Sequence, residues 1–197
     1  MSQEEAEAMF EAFLRDSMEG LKNNVFGRQR SCRQNPAYAL PVGMSVVIRG
    51  LTNAVELNGQ VGRVEDFDKR RRKYHVIAEN GRRCRLAPKN LLQMCSIRLT
   101  GLRRKPALNG ELATIINYDA KDERYMVMLD KTDHVLRLKR NNCLLNAGSS
   151  VILDGLSDSR FNGQMAQILR VEESPARYTV RCENGREIRV TNDKIFL

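Results

Sequence analysis

The chain has 197 residues, 33 Lys and Arg against 24 Asp and Glu, a formal net charge of +9, no Trp and five Cys. It holds no apolar run of membrane-spanning length, and its first residues are acidic, unlike a transit peptide. Cys32, Cys84, Cys95, Cys143 and Cys182 show no paired spacing, which argues against a disulfide framework and against a zinc site.

The charge is uneven. Residues 1–20 carry six acids and one Arg, net −5. Residues 21–41 are +4, residues 42–93 are +6, residues 94–146 are +4, and residues 147–197 are neutral. At the start, Ser2 and Glu5 have the spacing of a capping box. Met9, Phe10, Phe13, Leu14, Met18 and Leu21 then recur at helical spacing with acids opposite. The spacing predicts an amphipathic helix over 3–21, which either packs on the rest of the chain or docks on a partner. Residues 22–41 read as a basic linker, whose Pro36 and Pro41 bracket a segment expected to lie extended along residues 42–93.

From residue 42 one pattern is written three times, over 42–93, 94–146 and 147–197. Its fixed points are a Gly-Leu pair (Gly50-Leu51, Gly101-Leu102, Gly155-Leu156) and an Asn-Gly pair (Asn58-Gly59, Asn109-Gly110, Asn162-Gly163). A basic residue followed by Tyr is the third (Lys73-Tyr74, Arg124-Tyr125, Arg177-Tyr178). Successive tyrosines lie 51 and 53 residues apart, which identifies a repeat.

Within each copy, apolar residues alternate in short runs. Val46 and Ile48 mark a first strand, and Val61, Val64 and Phe67 a second, with Gly62, Ala113 and Ala166 keeping one position small. Tyr74, Val76 and Ala78 mark a third. Asn80-Gly81 and Asn184-Gly185 predict hairpin turns into a fourth, which the second copy replaces with a longer loop over 130–133. Cys84, Cys143 and Cys182 align with apolar residues of the other copies and read as core positions. Four strands and a short closing one in about fifty residues predict a mainly β chain of three small barrels, which hide their strand edges. Cores this small are marginal alone, so neighbours should pack together.

The hydrophobic pair before Gly50, the Gly59-x-x-Gly62-x-Val64 run and the Tyr-x-Val strand resemble Src-homology-3-like barrels. Among these they are most similar to the KOW motif of ribosomal proteins and transcription elongation factors. The Gly-Leu, Asn-Gly and Arg-Tyr form also resembles repeats of protist proteins found beside zinc-finger or ankyrin modules. The resemblance covers 42–197 and implies either a protein-assembly module or an RNA-binding one. Ala113 and Ala166 stand where a KOW motif has its second glycine, and few aromatics are spare for a proline-rich ligand.

No catalytic constellation, metal site or cofactor motif emerges, and the expectation is a non-enzymatic chain. Two candidate surfaces do. Lys69, Arg70, Arg71, Arg72 and Lys73, with Arg82 and Arg83 across the next hairpin and Arg103, Arg104 and Lys105 in the second copy, suit phosphates or an acidic protein. They suit a solvated loop equally. Ile77, Met126 and Met128 lie between the core positions of the third strand, as a protein-contact patch or a face buried between barrels. The expected role is a subunit or adaptor of a larger complex, alternatively an RNA-binding protein. Its expected place is the cytoplasm or nucleus if residue 1 is the natural start; a processed or recombinant start leaves an organelle open.

Overall fold

A computed structural model describes residues 35–173 and 176–197. The expected helix, with Met9, Phe10, Phe13, Leu14 and Met18, lies outside them. The described chain is mainly β and forms three five-stranded antiparallel sheets. The first contains β1 (Ser45–Ile48), β2 (Val61–Asp68), β3 (Lys73–Ala78), β4 (Arg83–Leu86) and β5 (Leu91–Gln93), in the order β4-β3-β2-β1-β5. The second repeats that order with β6 (Ser96–Leu99), β7 (Leu112–Asp119), β8 (Arg124–Leu129), β9 (Val135–Lys139) and β10 (Cys143–Leu145). The third does so with β11 (Ser150–Leu153), β12 (Met165–Glu173), β13 (Ala176–Cys182), β14 (Glu187–Thr191) and β15 (Ile195–Phe196). Among the described residues no helix is long and apolar enough to cross a membrane.

Alternation places the core. Tyr74, Val76 and Ala78 of β3 are buried, as are Tyr178, Val180 and Cys182 of β13, while the residues between them are not. The long second strand of each sheet carries an irregularity at the same place, between Val64 and Asp66, Ile115 and Asn117, and Ile168 and Arg170. A bulge there bends the strand and deepens its twist. Gly62 must stay small because a Cβ would lie 2.7 Å from Val76 Cγ1 on the paired strand.

The Gly-Leu and Asn-Gly pairs turn out to be partners. The Leu51 amide donates to Asn58 Oδ1 and Asn58 Nδ2 donates back to the Leu51 carbonyl, both at 2.8 Å. Leu102 and Asn109 do the same at 2.8 and 3.1 Å, and Leu156 and Asn162 at 2.9 and 3.1 Å. Gly110 N then donates to Leu99 O at 2.8 Å, fastening the loop to β6. Its φ of 89° suits glycine.

The segment before β1 departs from expectation. Residues 36–39 turn back, with Ala39 N donating to Pro36 O at 2.8 Å, instead of running extended. The turn buries Ala39 and Leu40 in the first core and brings Tyr38 edge-on to Phe67, ring centres 6.5 Å apart. Two short apolar side chains thereby gain burial that an exposed strand edge would not provide.

All three sheets touch one another. The Tyr74 hydroxyl accepts from Leu40 N at 2.9 Å and donates to Met165 Sδ at 3.3 Å, joining the first copy to the third. Buried Gln93 donates from Nε2 to the Ser150 carbonyl. The Arg49 guanidinium lies 5.5 Å from the Tyr118 ring centre and donates to the Leu197 carbonyl. Between the second and third copies, Arg140 stands 4.0 Å over the Phe196 ring, and the Tyr178 hydroxyl accepts from Leu145 N at 3.2 Å. Packing of sequence neighbours alone would make a line; contact of the first copy with the third makes a closed cluster.

Burial pushes the Tyr74 and Tyr125 hydroxyls up to about 12, and the Cys143 thiol also to about 12. Their ordinary values are 10.0 and 9.0, so unfolding releases protons that the folded state retains. This contribution is complete below about pH 9 and is lost as pH rises toward about 12. Tyrosinate absorbance from these residues should appear together with loss of the β circular-dichroism signal in an alkaline titration. Tyrosinate signals for all five tyrosines preceding any loss of structure would contradict it.

Candidate functional site

The clamped loop of the second copy holds up three cations in succession, Arg103, Arg104 and Lys105. Because Asn109 closes its base, these side chains project from a fixed backbone. Facing them are Arg124 at the start of β8 and Arg137 and Lys139 on β9. The six line a groove of about 660 Å³ whose wall also includes Leu102, Leu108, Leu136 and Leu138. No carboxylate is among the described residues lining it.

Register makes the charge density costly. Arg124 and Lys139 are directly paired across β8 and β9. Like charges opposite one another destabilise a sheet by a few tenths of a kcal/mol, up to about 1. Arg177, the counterpart of Arg124 in the third copy, faces Thr191 instead. Asp119 is paired with Arg124 in register but turns its Oδ1 to the amides of Lys121 and Asp122, at 2.9 and 3.2 Å. Its hydrogen bonds shape the turn.

The third copy has the corresponding groove, about 500 Å³, lined by Leu156, Arg177, Arg189 and Lys194 among others. There two of the cations have carboxylate partners within the chain. Arg189 bonds to Glu172, and Lys194 lies 2.9 Å from Asp193. The first copy offers uncharged Thr52 and Asn53 at the matching loop positions.

The run at 69–73 is placed differently from the second-copy groove. Arg71 pairs with Asp68 at 3.1 Å, and the Arg71 amide, then its guanidinium, hold the Asp68 carboxyl below its ordinary value. Arg72 makes a two-pronged bond to Glu183 at 2.7 and 3.0 Å and reaches Gly163 O at 3.2 Å. It is a strut between the first and third copies. Arg82 pairs with Glu56 at 2.8 Å and Arg83 with Glu65 at 3.4 Å. Lys69, Arg70 and Lys73 are exposed and make no ion pair among the described residues. Exposed pairs add little stability, but they reduce the field an anion would meet.

Ile77 and Met126 are half-buried, and Met128 is buried at 8% exposure. Met126 alternates with Arg124 on one face of β8 and is the register partner of Arg137. Part of the apolar patch therefore adjoins the basic groove, and the two surfaces read separately in the sequence meet here.

Arg124, Arg137 and Lys139 are site residues that sequence reasoning misses. Arg124 stands out there only as a marker of the repeat, and alternation along β9 hides the other two from any search for a basic run. Pairing the predicted third and fourth strands by register is the signal that would have found them.

Among the described residues no group of three or more His, Cys, Asp or Glu side chains gathers so as to hold a metal ion. Comparison with protein-family models and with curated proteins finds no match to this sequence.

Proposed function

We propose that the chain is a non-enzymatic interaction module of three Src-homology-3-like barrels that joins a larger assembly by holding an acidic protein surface in the second-copy groove. The same strand order in each sheet, the bulge at one fixed place and the small residue at Gly62, Ala113 and Ala166 support the barrel reading. The observation that carries the function is the groove itself. Arg124 and Lys139 are held opposite each other, with Arg103, Arg104 and Lys105 facing them and no carboxylate among the described residues that line the groove. A repulsive arrangement retained on a folded surface is relieved by a bound anion.

Lys69, Arg70 and Lys73, exposed and clear of ion pairs among the described residues, favour a second reading, KOW-like contact with RNA phosphates. One comparison separates the two. The protein and its Arg103→Glu/Arg104→Glu variant are expressed in the native cell and their complexes sized with and without ribonuclease. The wild type is expected in a large complex that survives ribonuclease, and the variant as a free folded chain. Release by ribonuclease, with no effect of the charge reversal, would replace assembly with the RNA reading.

A further inference from the structure

We infer that the second-copy groove is also a receptor for a compact polyphosphate, a small molecule carrying several phosphate groups on one skeleton. Held there, it excludes the acidic protein surface, so its concentration sets how much of the chain is available for assembly. The site itself does not depend on that protein partner.

Five cations carry it: Arg103, Arg104 and Lys105 on the clamped loop, Arg124 at the start of β8 and Lys139 at the end of β9. Arg137 has an interaction of its own and is not counted. Four of the five are exposed, Arg124 is half-buried, and they come from three separate segments. A broad acidic surface meets cations along one wall. Cations on facing segments of a concavity are met together by a compact anion that presents charge in several directions. Phosphate suits arginine because the guanidinium fork bonds two of its oxygens at once.

The walls between the charges strengthen the attraction. Leu102, Leu108, Leu136 and Leu138 line the same groove. Low-dielectric walls around charge of one sign focus its field on an entering anion. A volume of about 660 Å³ is within the range of small-ligand sites. Among the described residues no aromatic side chain lines the groove, so a nucleotide base has nothing to stack on and the phosphates alone are recognised. Asn109 already fastens the loop, so little ordering is needed on binding.

The other copies set the count at one site per chain. Where the second-copy loop has consecutive cations, the third-copy loop carries Asp158, whose carboxylate holds Arg160 at 2.7 Å. The first-copy loop carries Glu56, bonded to Arg82 at 2.8 Å. An acid on the rim repels an approaching phosphate.

Calorimetric titration of the full chain with inositol hexakisphosphate at about 150 mM salt tests this. One site per chain is expected, with an affinity at least about tenfold above that for inorganic phosphate. Arg103→Ser/Arg104→Ser should weaken it at least about tenfold. Lys69→Ser/Arg70→Ser/Lys73→Ser changes equally exposed cations outside the groove and should leave it unchanged. Several equivalent sites, or equal weakening by the two variants, would mean diffuse counterion attraction and overturn the site. Absence of binding at that salt would overturn it too. Sedimentation with phosphatidylcholine vesicles containing a polyphosphorylated inositol lipid identifies the source of the phosphates. Pelleting reversed by free hexakisphosphate assigns a membrane headgroup, and binding of the free compound without pelleting assigns a soluble one; either supports the site. Because no partner protein enters the titration, its failure leaves the ribonuclease comparison to decide the assembly reading separately.

Discussion

Replacing Tyr74 by alanine is expected to destabilise the described body by about 3–5 kcal/mol, the usual cost of emptying a large aromatic site. The side chain is 1% exposed, stacks at 4.7 Å on Phe67, and has partners in two distant parts of the chain. Its hydroxyl accepts from Leu40 N and donates to Met165 Sδ. Tyr74→Phe keeps the ring and should cost about 1–2 kcal/mol, because the buried Leu40 amide loses its acceptor. Denaturant unfolding measures both. A loss below about 0.5 kcal/mol for the alanine variant, the range of ordinary surface positions, would mean that the ring does not fill the core.

The second large effect is at Gln93. Its side chain is 2% exposed, and Nε2 donates across the junction to the carbonyl of Ser150. Gln93→Glu keeps the shape but removes the donor and points a carboxylate at that carbonyl. At neutral pH the cost should be about 3–5 kcal/mol, as for other unpaired buried charges. Burial would raise the introduced carboxyl above its ordinary value of about 4.3, so the folded variant binds the proton more tightly than the unfolded one. Its deficit should therefore be small below about pH 4 and grow as pH rises. A variant as stable as wild type at neutral pH would place water in that junction.

The parts of this molecule that were legible in the sequence are those that repeat at short range. Tyr-x-Val-x alternation marked β3, β8 and β13 because strand side chains alternate with period two, and the observed burial follows it in β3 and β13, and in β8 as far as Met128, which is buried as well. Gly-Leu and Asn-Gly stood out as fixed points, but their mutual hydrogen bonds did not, because a side-chain amide seven residues away leaves no periodic trace. The closed packing of the copies was hidden for a related reason. Arg72 and Glu183 are 111 residues apart, and nothing local assigns one to the other. The same distance explains why the run at 69–73 looked more available than it is. Its residues were counted without the carboxylates that fold onto Arg71 and Arg72. Arg103, Arg104 and Lys105 were legible because they are contiguous. The cations facing them were not, since a hairpin had to bring Arg124 beside Lys139.

The two-bond ring between Leu and Asn has an evolutionary consequence. It fastens the ends of the loop through main-chain atoms of one residue and the amide of the other, so most of the stretch between is released from holding the fold, the buried Leu57 and Phe161 at its end excepted. That stretch runs 52–57, 103–108 and 157–161, differing in both length and charge while its fastening is unchanged. Each copy thus carries an exchangeable cassette, and a new binding preference can arise by rewriting four or five residues. Three cassettes on one body let a single duplicated unit acquire separate ligands without renegotiating its core.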